Sequence, residues 1–283
     1  MIIDFIIADM TFIPIYIILV LSFNLAFGFT GLVNLGHVVF FGIGAYTSAI
    51  LTLNGVPWYF ALILAGIITS IIGAAIAMIT VRLKGDYFQI VTLGLVFIAI
   101  AISRNWISLT RGALGLPGVP PIIKNNFYYM LFVLAITTIS FIFFYWLTNS
   151  ETGKIFKAIR DDETAAAILG KNTYFYKVLS IAISTFFAGI AGSLFVHFIK
   201  FVDPTIFDLG FFVLILAMLV SGGLASLIGS VVGVFLLSIF LDSLRFVVVN
   251  PELIGPMREM LFMVTLILIL IFKPRGVFGK VDV

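Results

Sequence analysis

The chain has no cysteine among its 283 residues, which excludes disulfides, thiolate nucleophiles and cysteine metal sites. Charge is scarce as well. Only 10% of residues are Asp, Glu, Lys or Arg, against roughly 25% in an ordinary soluble domain. Histidine occurs twice, at His37 and His197, and no His-Glu-x-x-His pair is present, so each reads as a hydrogen-bonded interior residue before a metal ligand. No Gly-x-x-x-x-Gly-Lys-[Ser/Thr] phosphate loop occurs either, so any ATP that drives this protein is bound by another chain. An integral-membrane enzyme would need clustered acids, paired histidines or a thiol to supply nucleophile, base or metal ligands, and the sequence offers none. Asp4 and Asp9 precede the first apolar run without any Lys or Arg, so the basic region of a signal peptide is missing and that run reads as a retained span.

Apolar length is what the chain has. Hydrophobic residues make up 62%, Phe alone appears 31 times, and mean hydropathy is +1.26. A hydrocarbon core of ~30 Å needs about 20 helical residues at ~1.5 Å rise, so there is room for eight to ten spans and little else. Runs bounded by Gly, Pro and charge give nine candidate helices, at 11–28, 37–53, 57–81, 87–103, 127–147, 176–199, 209–222, 225–247 and 257–272. The expected fold is all-α: one polytopic membrane domain over 1–283, with about nine spans and some glycine-broken or re-entrant helices.

The formal charge of +3 does not point to nucleic acid, because the cations mark loops. Arg82/Lys84, the 150–177 segment and Lys273/Arg275/Lys280 carry the basic excess. Nine spans with the N-terminus outside place all three in the cytoplasm, together with the C-terminus. The connection 104–126 resists this order: it holds Arg104, Arg111 and Lys124 with no acid, yet parity puts it outside.

Two segments are too rich in glycine for plain spanning helices. Segment 28–44 holds Gly28, Gly31, Gly36, Gly42 and Gly44 with Asn34 and His37; segment 221–233 holds Ser221, Gly222, Gly223, Gly229 and Gly233. Interior glycine costs a helix up to about 1 kcal/mol per residue. Unpaired backbone at membrane depth survives only where protein or a watery cavity covers it. Broken helices along a path are one reading, and close helix packing as in Gly229-x-x-x-Gly233 is the other. On the first reading Asn24, Asn34, Gly36, His37, Ser221, Gly222 and Gly223 are candidate path residues, offering neutral polar groups and bare backbone to a small solute. The two segments share a faint pattern, Gly31-Leu-Val-Asn-Leu against Gly223-Leu-Ala-Ser-Leu. A gradient-driven carrier of small polar solutes is the rival, and it needs ionisable groups near the midplane. Asp242, Arg245, Arg258, Glu259, His197 and Lys200 mostly fall near predicted span ends instead, where long side chains reach the interface.

The most telling stretch is the polar one at 154–171. A charged, Ala-rich helix between spans cannot face lipid, so it stands in water or against another protein. Arg160-Asp-Asp-Glu163 reads as an acidic helix start, Thr164-Ala-Ala-Ala as a close-approach surface, and Gly170 as the stop.

Thr164-Ala-Ala-Ala-Ile-Leu-Gly170, with Glu163 displaced by one position, is similar to the cytoplasmic Glu-Ala-Ala-x-x-x-Gly loop of ABC importer permeases. The match covers Ala165, Ala166 and Gly170, while Thr164 stands where that loop has its glutamate. Ser22 to His37, Phe41-Gly-Ile-Gly-Ala-Tyr46, Arg82-Leu-Lys-Gly-Asp-Tyr-Phe88, Thr110 to Gly118, Ala158 to Glu163, Phe201-Val-Asp-Pro204 and Lys273 to Gly279 resemble branched-chain amino acid permeases in order along the chain. Of the two Liv-system types, the M-type is the nearer. The resemblance implies a permease subunit with no cofactor of its own. Its partners would be a second, H-type permease, two ATPase subunits that bind ATP and Mg, and an extracytoplasmic substrate-binding protein. Substrates in the family are branched-chain amino acids, other amino acids, amides or urea. The coupling residues carried over are Arg160, Asp161, Asp162, Glu163, Thr164, Ala165, Ala166 and Gly170.

Overall fold

Each of the first eight apolar runs folds as a helix: α1 (Ile2–Asn24), α2 (His37–Leu53), α3 (Trp58–Thr80), α4 (Asp86–Asn105), α6 (Asn126–Asn149), α9 (Thr173–Ile199), α10 (Leu209–Gly222) and α11 (Leu227–Val247). Between them lie the short helix α5 (Ile107–Thr110), the polar pair α7 (Glu151–Asp161) and α8 (Glu163–Ile168), and two-residue strands β1 (Leu116–Pro117) and β2 (Phe201–Val202). This computed structural model describes residues 2–83, 85–247, 260, 261, 263, 264, 267, 268, 271 and 276–279, with the side chains of 2–6 and 241–247 outside that description. The readings of Lys84, Asp242, Arg245, Arg258, Glu259, Lys273, Arg275 and Lys280, and of 257–272 as one continuous helix, fall outside the described residues. Among the described residues five helices are long and apolar enough to cross a membrane: Ile7–Phe29, α3, α4, α6 and α9. Three shorter apolar helices, His37–Leu53, Leu209–Gly222 and Leu227–Phe240, accompany them.

The first helix begins well before the expected position 11. Asp4 and Asp9 do not stop it, since an acid costs a helix no more than about 0.7 kcal/mol. This helix is the axis of the fold and is buried along most of its length, whereas α3, α4 and α6 bury less than a third of their spans. Buried hydroxyls fasten its neighbours to it: Thr137 Oγ1 donates to the Pro14 carbonyl from α6 at 3.1 Å, and Ser184 Oγ donates to the Ser22 carbonyl from α9 at 2.6 Å. On α9, the small residues Gly189 and Gly192 let α2 and α3 approach to backbone contact, Gly44 meeting Gly189 directly. Bonds between helices made this way replace water that the bilayer does not supply.

Helix direction sorts the loops into two ends. Tyr174 Oη donates to the Met78 carbonyl at 2.8 Å, and the Arg82 guanidinium lies 5.2 Å from the Tyr174 ring centre, so the 81–85 turn and the 150–172 segment share one end. At the opposite end the 104–126 connection is folded, not loose. Leu116 and Pro117 pair antiparallel with Val202 and Phe201, and Gly118 and Val119 donate to the Lys200 carbonyl. His197 pins the same connection: Nδ1 lies 2.7 Å from the Pro120 carbonyl, an acceptor only, so that nitrogen carries the proton. Its Nε2 then accepts from Ser48 at 2.9 Å, fulfilling the reading of a bonded interior histidine. Arg104, Arg111, Lys124 and Lys200 all remain exposed at this end.

Candidate functional site

Both glycine-rich segments break, and they break against each other. After Asn24 the first helix widens into a π turn (Leu25–Phe29), leaves helical geometry at Gly31, and a new helix starts at His37. The α10 helix ends at Gly222, Gly223 takes φ +108, and α11 starts at Leu227. Gly31 likewise takes φ +77, so the two glycines of the faint repeated pattern both adopt a backbone conformation that side chains disfavour. At 14 residues α10 is ~21 Å long, too short to cross ~30 Å of hydrocarbon unaided. The packing reading also holds, because Gly222, Gly229 and Gly233 bring α10 and α11 into backbone contact as an antiparallel hairpin.

Asn24 joins the two breaks. Its Nδ2 donates to the Ser226 carbonyl at 3.0 Å and to Ser230 Oγ at 2.7 Å, while its Oδ1 accepts from the Ala225 N–H at 3.0 Å. A polar group buried this fully stays only with all its bonds made, so Asn24 is a fastening between elements 200 residues apart in sequence. The other candidate path residues are buried as well. Asn34 Oδ1 turns back to the Gly36 N–H, His37 Nε2 bonds Ser22 Oγ at 2.9 Å and stacks on Phe23, and Ser221 Oγ donates to Met218 of its own helix. Asn24, Asn34, Gly36, His37, Ser221, Gly222 and Gly223 thus shape the interior of this chain, and among the described residues none lines the cavities of about 540, 380 and 340 Å³.

The polar segment departs from a single helix over 154–171. It is two helices, divided at Asp162, whose backbone turns extended with φ −156 and ψ 104. The acidic start belongs to the second helix: Asp162 Oδ1 accepts from the Thr164 and Ala165 N–H groups at 2.8 and 3.0 Å. Sequence alone hides the division, because Asp161 and Asp162 are equally good caps. Glu163 is drawn back to α9 by an ion pair with Lys177 and a 3.2 Å bond from Thr173. Gly170 takes φ +77, ending α8 as the sequence requires. On α7 the Lys154 ammonium bonds Glu151 and holds its carboxyl below the usual range.

Burial divides the candidate coupling residues. Ala166 is 2% exposed and faces the bundle, whereas Ile168 and Leu169 are 80% and 76% exposed in an otherwise polar segment. Those two exposed apolar side chains belong to the candidate site and were passed over by sequence reasoning; their flanking by Ala167 and Gly170 was the available signal. Arg160 points inward. Its Nη1 donates to the Gly28 carbonyl at 3.0 Å, and its Nε and Nη2 donate to Asp161 Oδ1 at 2.9 and 2.8 Å. Beside it Lys157 Nζ donates to the Thr148 carbonyl and lies 5.7 Å from the centre of the Phe29 ring. A cavity of about 540 Å³ opens here, lined by Phe29, Tyr145, Lys157, Arg160, Ser226 and Ile228 among others. No three His, Asp or Glu side chains gather to hold a metal among the described residues.

A family model described as branched-chain amino acid transport system, permease component, matches residues 5–271. The chain belongs to that permease family. Its similarity to a high-affinity branched-chain amino acid transport permease named LivM from Salmonella typhimurium is 31% identity, over 95% of this chain and 68% of that one. A probable LivM of Methanocaldococcus jannaschii is 26% identical over 93% of this chain and 90% of its own length. LivH of Escherichia coli is 25% identical over 95% and 92% respectively. No solved structure matches the chain. A permease of this family is a multi-pass membrane transport component and not an enzyme, which agrees with the helical bundle and the missing nucleotide loop.

Proposed function

We propose that this chain is the M-type permease of an ATP-driven importer of branched-chain or related small amino acids. It would work with an H-type permease, two ATPase subunits that bind ATP and Mg, and an extracytoplasmic binding protein. Nine spans, an external N-terminus and a cytoplasmic α7–α8 pair complete the arrangement. The observation that carries this reading is the exposed Ile168–Leu169 step beside Ala165 and Ala167, held out of the bundle by the Asp162 cap. Large apolar side chains exposed on a polar segment mark a protein contact. Asp161, Asp162, Glu163, Thr164, Ala165, Ala166 and Gly170 then form the ATPase-coupling element, which Arg160 ties to the bundle from beneath.

The two glycine breaks are the proposed moving parts of the path, with Asn24, Asn34, Gly36, His37 and Ser221–Gly223 governing their shape. A branched aliphatic cargo is supported by an apolar cavity of about 380 Å³ toward the opposite end, walled by Ile43, Ile50, Ile98 and Trp106 with Tyr46 inside. That lining suits leucine better than it suits urea or an amide. Uptake of labelled leucine into proteoliposomes is the test. The complete complex with ATP and binding protein should transport, and this chain alone should not. Gradient-driven uptake by the chain alone would make it a secondary carrier. Micromolar leucine binding to the isolated chain would contradict a permease that leaves tight capture to its binding protein.

A further inference from the structure

Resting on the assignment of 151–170 as the coupling segment, we infer that Arg160 is a rigid strut: it carries motion of the α7–α8 pair onto the two glycine breaks and takes no part in holding the ATPase. Four observations converge. First, the Arg160 side chain is only 17% exposed, so it faces away from any docked partner. Second, its guanidinium is oriented before it reaches its target. Asp161 Oδ1 fixes Nε and Nη2, which leaves Nη1 aimed at the Gly28 carbonyl at 3.0 Å. A planar fork held on one edge transmits position where a flexible ammonium would not.

Third, the target lies at the end of a π turn. There the helical ladder ends: the Phe27 carbonyl keeps an ordinary bond from the Gly31 N–H, the Ala26 carbonyl accepts from the Leu32 N–H six residues on, and Gly28 takes its bond from α7. The main chain of Gly31 also lies against Arg160, since a Cβ built there would sit 3.3 Å from Arg160 Cα. A side chain there would need Arg160 to give by a few tenths of an ångström, so little slack is left between the two. Fourth, the load has somewhere to go. Gly28 stacks on Asn24 and on the Ala225 N–H, and Asn24 holds Ala225, Ser226 and Ser230 across the second break. The chain of contact runs α7, Arg160, Gly28, Asn24, Ala225: a part-buried hydrogen bond, a glycine contact and a buried hydrogen bond in turn. A push on α8 from outside would thus reach both breaks together.

The experiment uses the complete importer reconstituted with its binding protein, reading ATP hydrolysis and labelled leucine uptake in one preparation. Arg160→Gln should keep stoichiometric ATPase subunits and hydrolysis within about twofold, while leucine moved per ATP falls at least tenfold. Arg160→Lys restores the charge without the fork and should recover less than half of that ratio. A packing residue would behave differently, lowering assembly, hydrolysis and uptake together; that result, or a wild-type ratio in Arg160→Gln, overturns the strut. A second probe uses the absence of native thiols. In Gly31→Cys with Arg160→Cys the two Cβ atoms come within about 3.4 Å, near the span of a disulfide. Oxidation should raise the leucine-per-ATP ratio of this pair and reduction should abolish the gain; an oxidised complex no better coupled than the reduced one refutes a rigid link. The docking assignment fails separately, by retention of ATPase subunits in an Ile168→Asp, Leu169→Asp chain.

Discussion

Asn24 shows what a single polar residue does in a chain with so few. It sits at 0% exposure and accepts from the Ala225 N–H, a donor in the break between two helices. Replacing it by Leu leaves the Ala225 N–H buried without a partner, while the Ser226 carbonyl keeps its bonds from the Ser230 N–H and Oγ. Each buried orphan costs about 1–3 kcal/mol. The Asn24→Leu protein should therefore melt several degrees lower in detergent, whereas Asn34→Ala, which removes only a local turn bond, should shift the midpoint far less. Equal midpoints for the two would deny Asn24 its bridging role. The sequence singled out Asn24 from its glycine-rich surroundings, but not its partner: a bond across some 200 residues leaves no periodic trace. Arg160 was legible as a cation in a coupling motif, and its inward direction was not, because nothing in Arg160-Asp-Asp-Glu163 says which acid holds the guanidinium and which caps the helix.

The spanning helices could be read directly, since apolar runs of about 20 residues bounded by Gly, Pro and charge have no other stable form in lipid. Connections were the harder part. The 104–126 segment gave the sequence only cations and glycines, while the protein folds it into α5, a 3-10 turn from Gly112 to Leu114 and β1, zipped to a strand more than 80 residues later. At 154–171 the helical composition was correct and the division at Asp162 was missed. That division makes a prediction about α8. Asp162→Lys with Glu163→Lys removes the cap from the Thr164 and Ala165 N–H groups, places cations at the positive end of the dipole, and breaks the pair with Lys177. Loss of one cap costs about 1 kcal/mol, enough to unwind a helix of six residues that has no core of its own. Membrane insertion and the melting midpoint should stay near wild type, while ATPase co-purification and uptake fall together. Undiminished co-purification would remove α8 from the docking surface.

For the whole molecule, hydrogen bonds settle relative sidedness and leave the absolute orientation to experiment. Tyr174 against Met78 and Arg160 against Gly28 gather the 28–36, 81–85 and 150–172 segments at one end. The zipped strands and His197 against Pro120 gather 104–126 and 200–203 at the other. One end carries Ile168, Leu169 and the polar helices; the other exposes Arg104, Arg111, Lys124 and Lys200. The positive-inside tendency favours whichever end holds more Lys and Arg in short loops, so these two clusters compete. If α7–α8 is cytoplasmic, the opposing cations face outward, where complementary acids on a binding protein would speed its arrival. Such steering acts over about 8–10 Å and fades as salt rises. Single-cysteine labelling decides between the orientations without background, since the chain has no other thiol. An impermeant maleimide should label Lys124→Cys in intact cells, and Lys171→Cys only after permeabilisation. The reverse pattern would invert the bundle, put the basic connection in the cytoplasm, and leave the Ile168–Leu169 step facing a compartment without ATP.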